Sequence, residues 1–270
     1  CHPGPIPPTL VGVGTGEFRM IVTVANHKGG VGKTSLAAHL AFRAAERGNK
    51  VLAVDFDAQG NLTGTLADRG KALKADGADS LFAADRVPVP MPGVDPNIAV
   101  LPATAALNAT DRGQLSQAFT AIGHLKTLNK EFSVIVIDTA PAIGLRLTAA
   151  LAASQRLVIP LQPESYAVDG VASLLAEAVS IGEHMNPGLA PAEFVINAIN
   201  PRAKQHAQTA ARLAQQFKVR TPHLRRAIAV ADALAAKKPV WRNPTNSAVA
   251  NEWAVLCDEL LDEFGVIDWT

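Results

Sequence analysis

A short apolar strand, a glycine-rich turn and a helix follow one another at the start of the ordered sequence, and no other feature restricts the fold as tightly. Met20–Asn26 (MIVTVAN) is apolar and β-branched and reads as a buried strand. His27-Lys28-Gly29-Gly30-Val31-Gly32-Lys33-Thr34 comes next, and Thr34–Arg47 (TSLAAHLAFRAAER) is helical, with Leu36, Leu40 and Ala44 on one face and Gly48 as its stop. A glycine loop between strand and helix is a phosphate cradle. Glycines let backbone N–H groups turn inward, and the helix aims its positive end at the same anion. The loop Gly29, Gly30, Val31, Gly32, with Lys33, Thr34 and Ser35 at the helix start, is therefore the candidate nucleotide site. Lys33 is expected to reach the β- and γ-phosphates, and the Thr34 hydroxyl to ligate Mg²⁺.

The rest of the chain alternates in the same way. Further strands are expected at Val51–Asp55, Ile98–Leu101, Ser133–Asp138, Arg156–Pro160 and Phe194–Ala198. Helices are expected at Asp111–Leu128, Asp169–His184, Lys204–Phe217, Leu224–Ala236 and Ala248–Phe264, and Asp68–Asp95 reads as loops with a short helix. The strands are continuously apolar, as in a parallel sheet covered on both faces. The expected fold is α/β: a doubly wound, mostly parallel sheet with helices on both faces, a P-loop NTPase over residues 20–270. Residues 1–19 hold four prolines and four glycines without periodicity, and read as a disordered leader or an artificially appended segment.

Composition excludes several classes. At 48% apolar and 18% charged residues the chain is not disordered, and it has no apolar run of membrane-spanning length. Two cysteines, Cys1 and Cys257, cannot build a cysteine-rich zinc site or an iron–sulfur cluster within one chain, and such sparse usage fits a reducing cytoplasm. Cys257 falls at core spacing with Ala250, Trp253, Ala254, Leu261 and Phe264 and reads as packing.

Lys28 is unusual. His27 stands where the general phosphate loop has glycine, and a second lysine follows it. A site already holding Lys33 and Mg²⁺ gains little from another cation, so Lys28 makes more sense reaching a nucleotide held by a second subunit. Lys28 to Thr34 resembles the deviant Walker A box of the ParA/MinD ATPases. The resemblance runs from about Met20 to about Phe264. Val51–Asn61 (VLAVDFDAQGN) is similar to the family's second acidic motif, with Ala58 where proline is usual, and Val134–Pro141 (VIVIDTAP) to its Walker B strand. Leu161-Gln162-Pro163-Glu164 and Lys238-Pro239-Val240 also fit.

The resemblance, for Lys28 and Asp57, and the place of each residue on its strand, for Asp138 and Asn197, imply roles that have plainer alternatives. Lys28 would contact phosphate across an ATP-sandwiched homodimer, as an arginine finger does, or be a surface lysine. Asp57 would orient or activate the attacking water, or bind Mg²⁺ through water. Asp55 reads as a structural carboxylate and Asn61 as a switch-loop residue. Asp138 would hold Mg²⁺ through water, or cap a helix or join a salt bridge. Asn197 would read the adenine edge or serve as a turn residue, with Asn200 competing, and Pro222 would flank the base. The implied activity is a cytoplasmic, nucleoid-associated ATPase with ATP and Mg²⁺ as cofactors. A ParB-like centromere-binding partner would stimulate its slow hydrolysis.

Charge is segregated. The formal total is +1, yet residues 201–242 carry ten Lys or Arg and one acid, Asp232. Residues 251–270 carry six acids and no Lys or Arg. No recognition helix is evident, so a basic surface of this kind suits sequence-independent phosphate contact with DNA. Arg202, Lys204, Arg220, Arg225 and Arg226 are the candidates, against a solvated face without a partner. The reading expects no N-terminal DNA-reading extension of the kind larger plasmid members carry. The acidic end disfavours the basic membrane helix of MinD-like members. Three rivals share the loop: an ATPase positioning a protein or organelle cargo, an ATP-dependent synthetase that activates a carboxylate, and a nucleotide-gated scaffold without turnover.

Overall fold

The computed structural model describes residues 19–164, 169–242 and 247–269. Apart from Arg19, the leader segment lies outside them. The elements run β1 (Met20–Val24), α1 (Lys33–Glu46), β2 (Val51–Phe56), α2 (Asn61–Leu66), α3 (Arg69–Ala72), β3 (Met91–Pro92), β4 (Ile98–Leu101) and α4 (Leu107–Thr110). They continue with α5 (Leu115–Leu128), β5 (Val134–Thr139), α6 (Leu145–Ala153), β6 (Arg156–Leu161) and α7 (Asp169–His184). The last are β7 (Glu193–Ile196), α8 (Lys204–Gln216), β8 (Val219–Arg220), α9 (Ile228–Ala235) and α10 (Ser247–Glu263).

The sheet order is β3-β4-β2-β5-β1-β6-β7-β8. Every pairing is parallel except β3 with β4 at one edge. This is the doubly wound α/β sheet expected from the apolar strands. The chain moves to one side of β1 through β2 and returns to its other side through β6, so the carboxyl end of β1 lies where the winding reverses. In such sheets the ligand crevice opens there.

Strand residues alternate between two cores. Val22, Val24, Val134 and Val136 face α1, α9 and α10. Ile21, Ile135, Ile137 and Ile159 face α5, α6 and α7. The first core is pinned by two arginines of α1. Arg43 and Arg47 both pair with Asp258 of α10, and Arg47 also pairs with Asp262. Part of the acidic C-terminal run is thereby neutralised by α1 rather than by the basic stretch before it.

Several elements differ from the sequence reading. Helix α6 had no amphipathic signal, because every residue of it but Thr148 is buried. The helix expected over Asp111–Leu128 starts later, at Leu115, with Gln114 and Gln117 forming its capping box, and the unexpected short helix α4 precedes it. The helix expected from Leu224 begins at Ile228, because Leu224 and Arg225 run extended beside β7, where Leu224 N–H donates to the Ile196 carbonyl. Strands β3 and β8 have two residues each and are too short to show a period.

A titratable ring is packed into the first core. His39 of α1 is fully buried, 4.3 Å from Trp253 and 5.3 Å from Trp241 between ring centroids. Its Nδ1 donates to the Ser35 carbonyl at 2.6 Å and its Nε2 accepts from Val240 N–H at 3.1 Å. Burial pushes its pKa down to about 4. The unfolded chain therefore binds the proton more readily, and stability is lost as pH falls from about 6.5 toward 4, by up to about 3 kcal/mol. Urea titrations across that range should show this loss in the wild type and a much flatter profile in His39→Gln.

Candidate phosphate-binding site

The loop of residues 27–32 leaves the carboxyl end of β1 and enters α1. Gly30 and Gly32 have φ of 74° and 99°, a region where a side chain is strained. A Cβ on Gly32 would also lie 2.1 Å from Asn197 Nδ2. That closeness is functional packing: Asn197, just past β7, donates from Nδ2 to the Val31 carbonyl at 2.8 Å. Gln162, just past β6, donates from Nε2 to the Gly30 carbonyl at 2.8 Å. Asn26 Oδ1 accepts from Lys28 N–H at 2.8 Å. Three amides thus fix the loop from the strand ends below it. No side chain caps the α1 N-terminus at Gly32, which leaves its first N–H groups available to an anion. Lys33 is buried and folds back to donate from Nζ to the Lys28 carbonyl at 3.0 Å. Burial lowers its pKa, opposed by Asp138 and Asp57.

Strand register brings the acids to the same place. Asp138 is level with Val24 on one side and Asp55 on the other. Both carboxylates are fully buried. Asp55 accepts three hydrogen bonds: from Thr63 N–H at 2.8 Å, Thr63 Oγ1 at 2.7 Å and Asp57 N–H at 3.2 Å. Burial raises its pKa to about 6, against the pull of those donors. Asp138 has one donor, Thr34 Oγ1 at 2.6 Å, and its Oδ1 has no partner. Burial and the neighbouring Asp55 push its pKa well up. A buried carboxylate with one orphan oxygen, facing a threonine hydroxyl and an ammonium, has the chemistry of an outer ligand to a hydrated divalent cation. The donor set fits Mg²⁺. Asp57 begins the turn after β2 and is half-buried, with its Oδ1 accepting from Gln59 N–H at 3.0 Å.

Lys28, Gly29–Gly32, Lys33, Thr34, Asp138 and Asn197 are joined through these hydrogen bonds, and Ser35 follows on α1. Lys28 is half-exposed and its Nζ pairs with Glu164 of the same chain. Asn200 sits in the next turn, accepting from Arg202 N–H at 3.1 Å. Pro222 lies beyond β8 in a cis peptide with Thr221. The sequence reading quoted Gln162 and Glu164 only within a family-like segment and did not foresee the first as a loop anchor or the second as the partner of Lys28. It also passed over Arg146, whose Nη1 donates to the carbonyl of Phe56, next to Asp57, at 2.6 Å. Arg146 had a signal, as the single charge within the apolar run Leu145–Ala153.

The basic stretch requires a correction. Arg220 is turned inward, its Nε 2.6 Å from Glu193 and its Nη2 2.9 Å from Glu263, so it does not face solvent as a phosphate contact would. Arg225 pairs with Glu252. Both are held by acids that lie outside the stretch in sequence. Arg202, Lys204 and Arg226 are exposed and make no ion pair among the described residues.

An AAA-domain family matches residues 19–190. The chain is 34% identical over 243 residues to protein IncC of Escherichia coli, covering 85% of this chain and 65% of the relative. It therefore spans under two thirds of that relative's length. It is 32% identical over 248 residues to the chromosome-partitioning ATPase Soj of Thermus thermophilus, covering 89% of this chain and 94% of the relative. Among solved structures, cobyrinic acid a,c-diamide synthase from Mycobacterium smegmatis with bound ADP and magnesium superimposes with a TM-score of 0.75, at 24% identity over 92% of this chain and 96% of that one. At that identity the likeness is one of fold.

The orphan oxygen of Asp138 has a thermodynamic consequence. A carboxyl whose pKa is raised on folding costs stability as pH climbs above its unfolded value near 4. At neutral pH, Asp138→Asn should stabilise the ligand-free protein by roughly 1–2 kcal/mol, because it removes a buried charge beside Asp55. Calorimetry without nucleotide should show a higher Tm. An unchanged or lower Tm would mean that the carboxylate is paid for by contacts of its own.

Proposed function

The chain belongs to the ParA-type partition ATPase family, and from that membership we propose that it hydrolyses ATP to drive DNA segregation. The observation that carries this reading is the joining of Thr34 to a buried, half-satisfied Asp138 at the mouth of a glycine loop that also presents Lys28. Thr34 and Asp138 would hold Mg²⁺, which neutralises charge on the β- and γ-phosphates. The N–H groups of the loop and α1 would cradle the phosphates, and Lys33 would reach between them. Asp57 stands on the strand end beside them and would accept a hydrogen bond from the attacking water. Asn197 supports the loop through Val31, which gives it a role in shaping the site whether or not it also meets adenine.

Lys28 supports a two-subunit site. A second lysine adds little to its own phosphates, whereas one supplied across a homodimer would neutralise the charge developing on transfer. The ATP-bound dimer would bind DNA without sequence preference through Arg202, Lys204 and Arg226. A ParB-like partner would stimulate hydrolysis and release it, in a cytoplasmic cycle on the nucleoid. Among the described residues no helix is long and apolar enough to cross a membrane.

Binding to random-sequence duplex DNA, measured with ATP, with ADP and without nucleotide across a salt series, tests the cycle. Binding should require ATP. Three phosphate contacts per subunit would give a slope of log K against log salt near −5 for a dimer. Arg226→Ala should lower that slope in magnitude by about 2, with little change in sequence preference. Asp57→Ala should abolish phosphate release and leave the protein on DNA. Unchanged ATP turnover in that variant would remove the assigned role of Asp57, and absence of DNA binding in every nucleotide state would leave the basic surface without a partner.

A further inference from the structure

Arg146 is a charged residue inside an apolar helix. Only 9% of its side chain is exposed. An apolar side chain there would bury without the cost of desolvating a guanidinium, so packing does not account for it. Its contacts are specific. Nε and Nη2 donate to Asp111 Oδ2 at 3.0 and 2.5 Å, and the Arg146 backbone N–H donates to Asp111 Oδ1 at 3.1 Å. Nη1 donates to the carbonyl of Phe56 at 2.6 Å.

The position of that carbonyl matters. Phe56 is the last residue of β2, level with Thr139 of β5, and the peptide group that Arg146 grips is the one joining Phe56 to Asp57. Asp111 lies in the turn between α4 and α5, and it is held close to the segment that follows Asp138. A Cβ on Gly144 would lie 2.5 Å from Asp111 Cγ. One guanidinium therefore ties together the strand end that carries Asp57, the start of α6 after Asp138, and a surface turn.

We propose that Arg146 is a positioning residue for ATP hydrolysis: it orients the Phe56–Asp57 peptide, and with it the Asp57 carboxylate, relative to the segment beyond Asp138. Arg146 touches neither nucleotide nor water in this role, and Asp111 acts only by holding it. A lysine cannot reproduce the grip, since a single ammonium does not span a carboxylate and a carbonyl in the fixed geometry of a fork. The inference rests on the reading that Asp57 activates the attacking water.

The test separates binding from chemistry. Single-turnover hydrolysis with protein in excess over ATP, and affinity for a fluorescent ATP analogue, are measured for wild type, Arg146→Lys, Asp111→Asn and the double variant. Arg146→Lys should slow hydrolysis more than fivefold while analogue affinity stays within threefold. The double variant should be no slower than Arg146→Lys, because both changes break one connection. If Arg146→Lys does not fold, Asp111→Asn carries the test with the same thresholds. Hydrolysis slowed fivefold or less in a folded variant overturns the proposal, and so does a loss of affinity beyond threefold, which marks a merely structural role. Asp57→Asn is run alongside. A normal rate in Asp57→Asn removes the reading of Asp57, whereas a slow Asp57→Asn beside a normal Arg146→Lys removes the positioning role alone.

Discussion

The structure depends on a carboxylate placed where a carboxylate is costly. Asp138 lies one residue before the end of the central strand β5, between β1 and β2, with no exposure to water and a single hydrogen bond from Thr34. Everything around it is arranged either to share that cost or to use it. Asp55, its neighbour in register, is given three donors so that it does not compete for the same ones. Lys33 is held over the loop within the field of Asp138 rather than released to solvent. The parallel register is what makes this possible, because it brings three chain segments far apart in sequence to one level at one end of the sheet.

Much of this was legible because the relevant signals are local. The run from Met20 to Thr34 specifies strand, loop and helix within fifteen consecutive residues, and strands such as Val134–Thr139 are apolar on both faces because both faces are covered. The same burial hid α6. A helix covered on nearly every side has no polar stripe, so periodicity could not separate it from a loop rich in alanine and leucine. The amide supports under the loop were invisible for another reason. Gln162 and Asn197 act through the ends of β6 and β7, more than a hundred residues from the glycines they hold, and only the winding of the sheet brings them there.

Charge was the least legible property. Counted along the chain, charge falls into a basic stretch followed by an acidic one, as if the two balanced each other as blocks. The folded chain pairs them selectively. Glu193 and Glu263 take Lys218 and Arg220, Glu252 takes Arg225, and Glu46 takes Arg242, while Asp258 and Asp262 serve α1. Composition gives the sum of these charges, but only the fold decides which remain exposed to solvent. The outward set is smaller than the stretch suggests: Arg202, Lys204, Arg212, Arg226 and Lys238 are exposed and make no ion pair among the described residues.

The pair between Lys28 and Glu164 makes Lys28 a ligand on loan. Both side chains are about half-exposed, at 47% and 52%, and an exposed pair of this kind is worth only about 0–1 kcal/mol. Exchanging Glu164 for another anion is therefore close to free-energy neutral, and part of the entropy of ordering a long side chain has already been lost within the chain. A lysine kept in this way is poised at the loop yet easily transferred, and the balance between its two anions is set by whatever negative charge is brought within its reach.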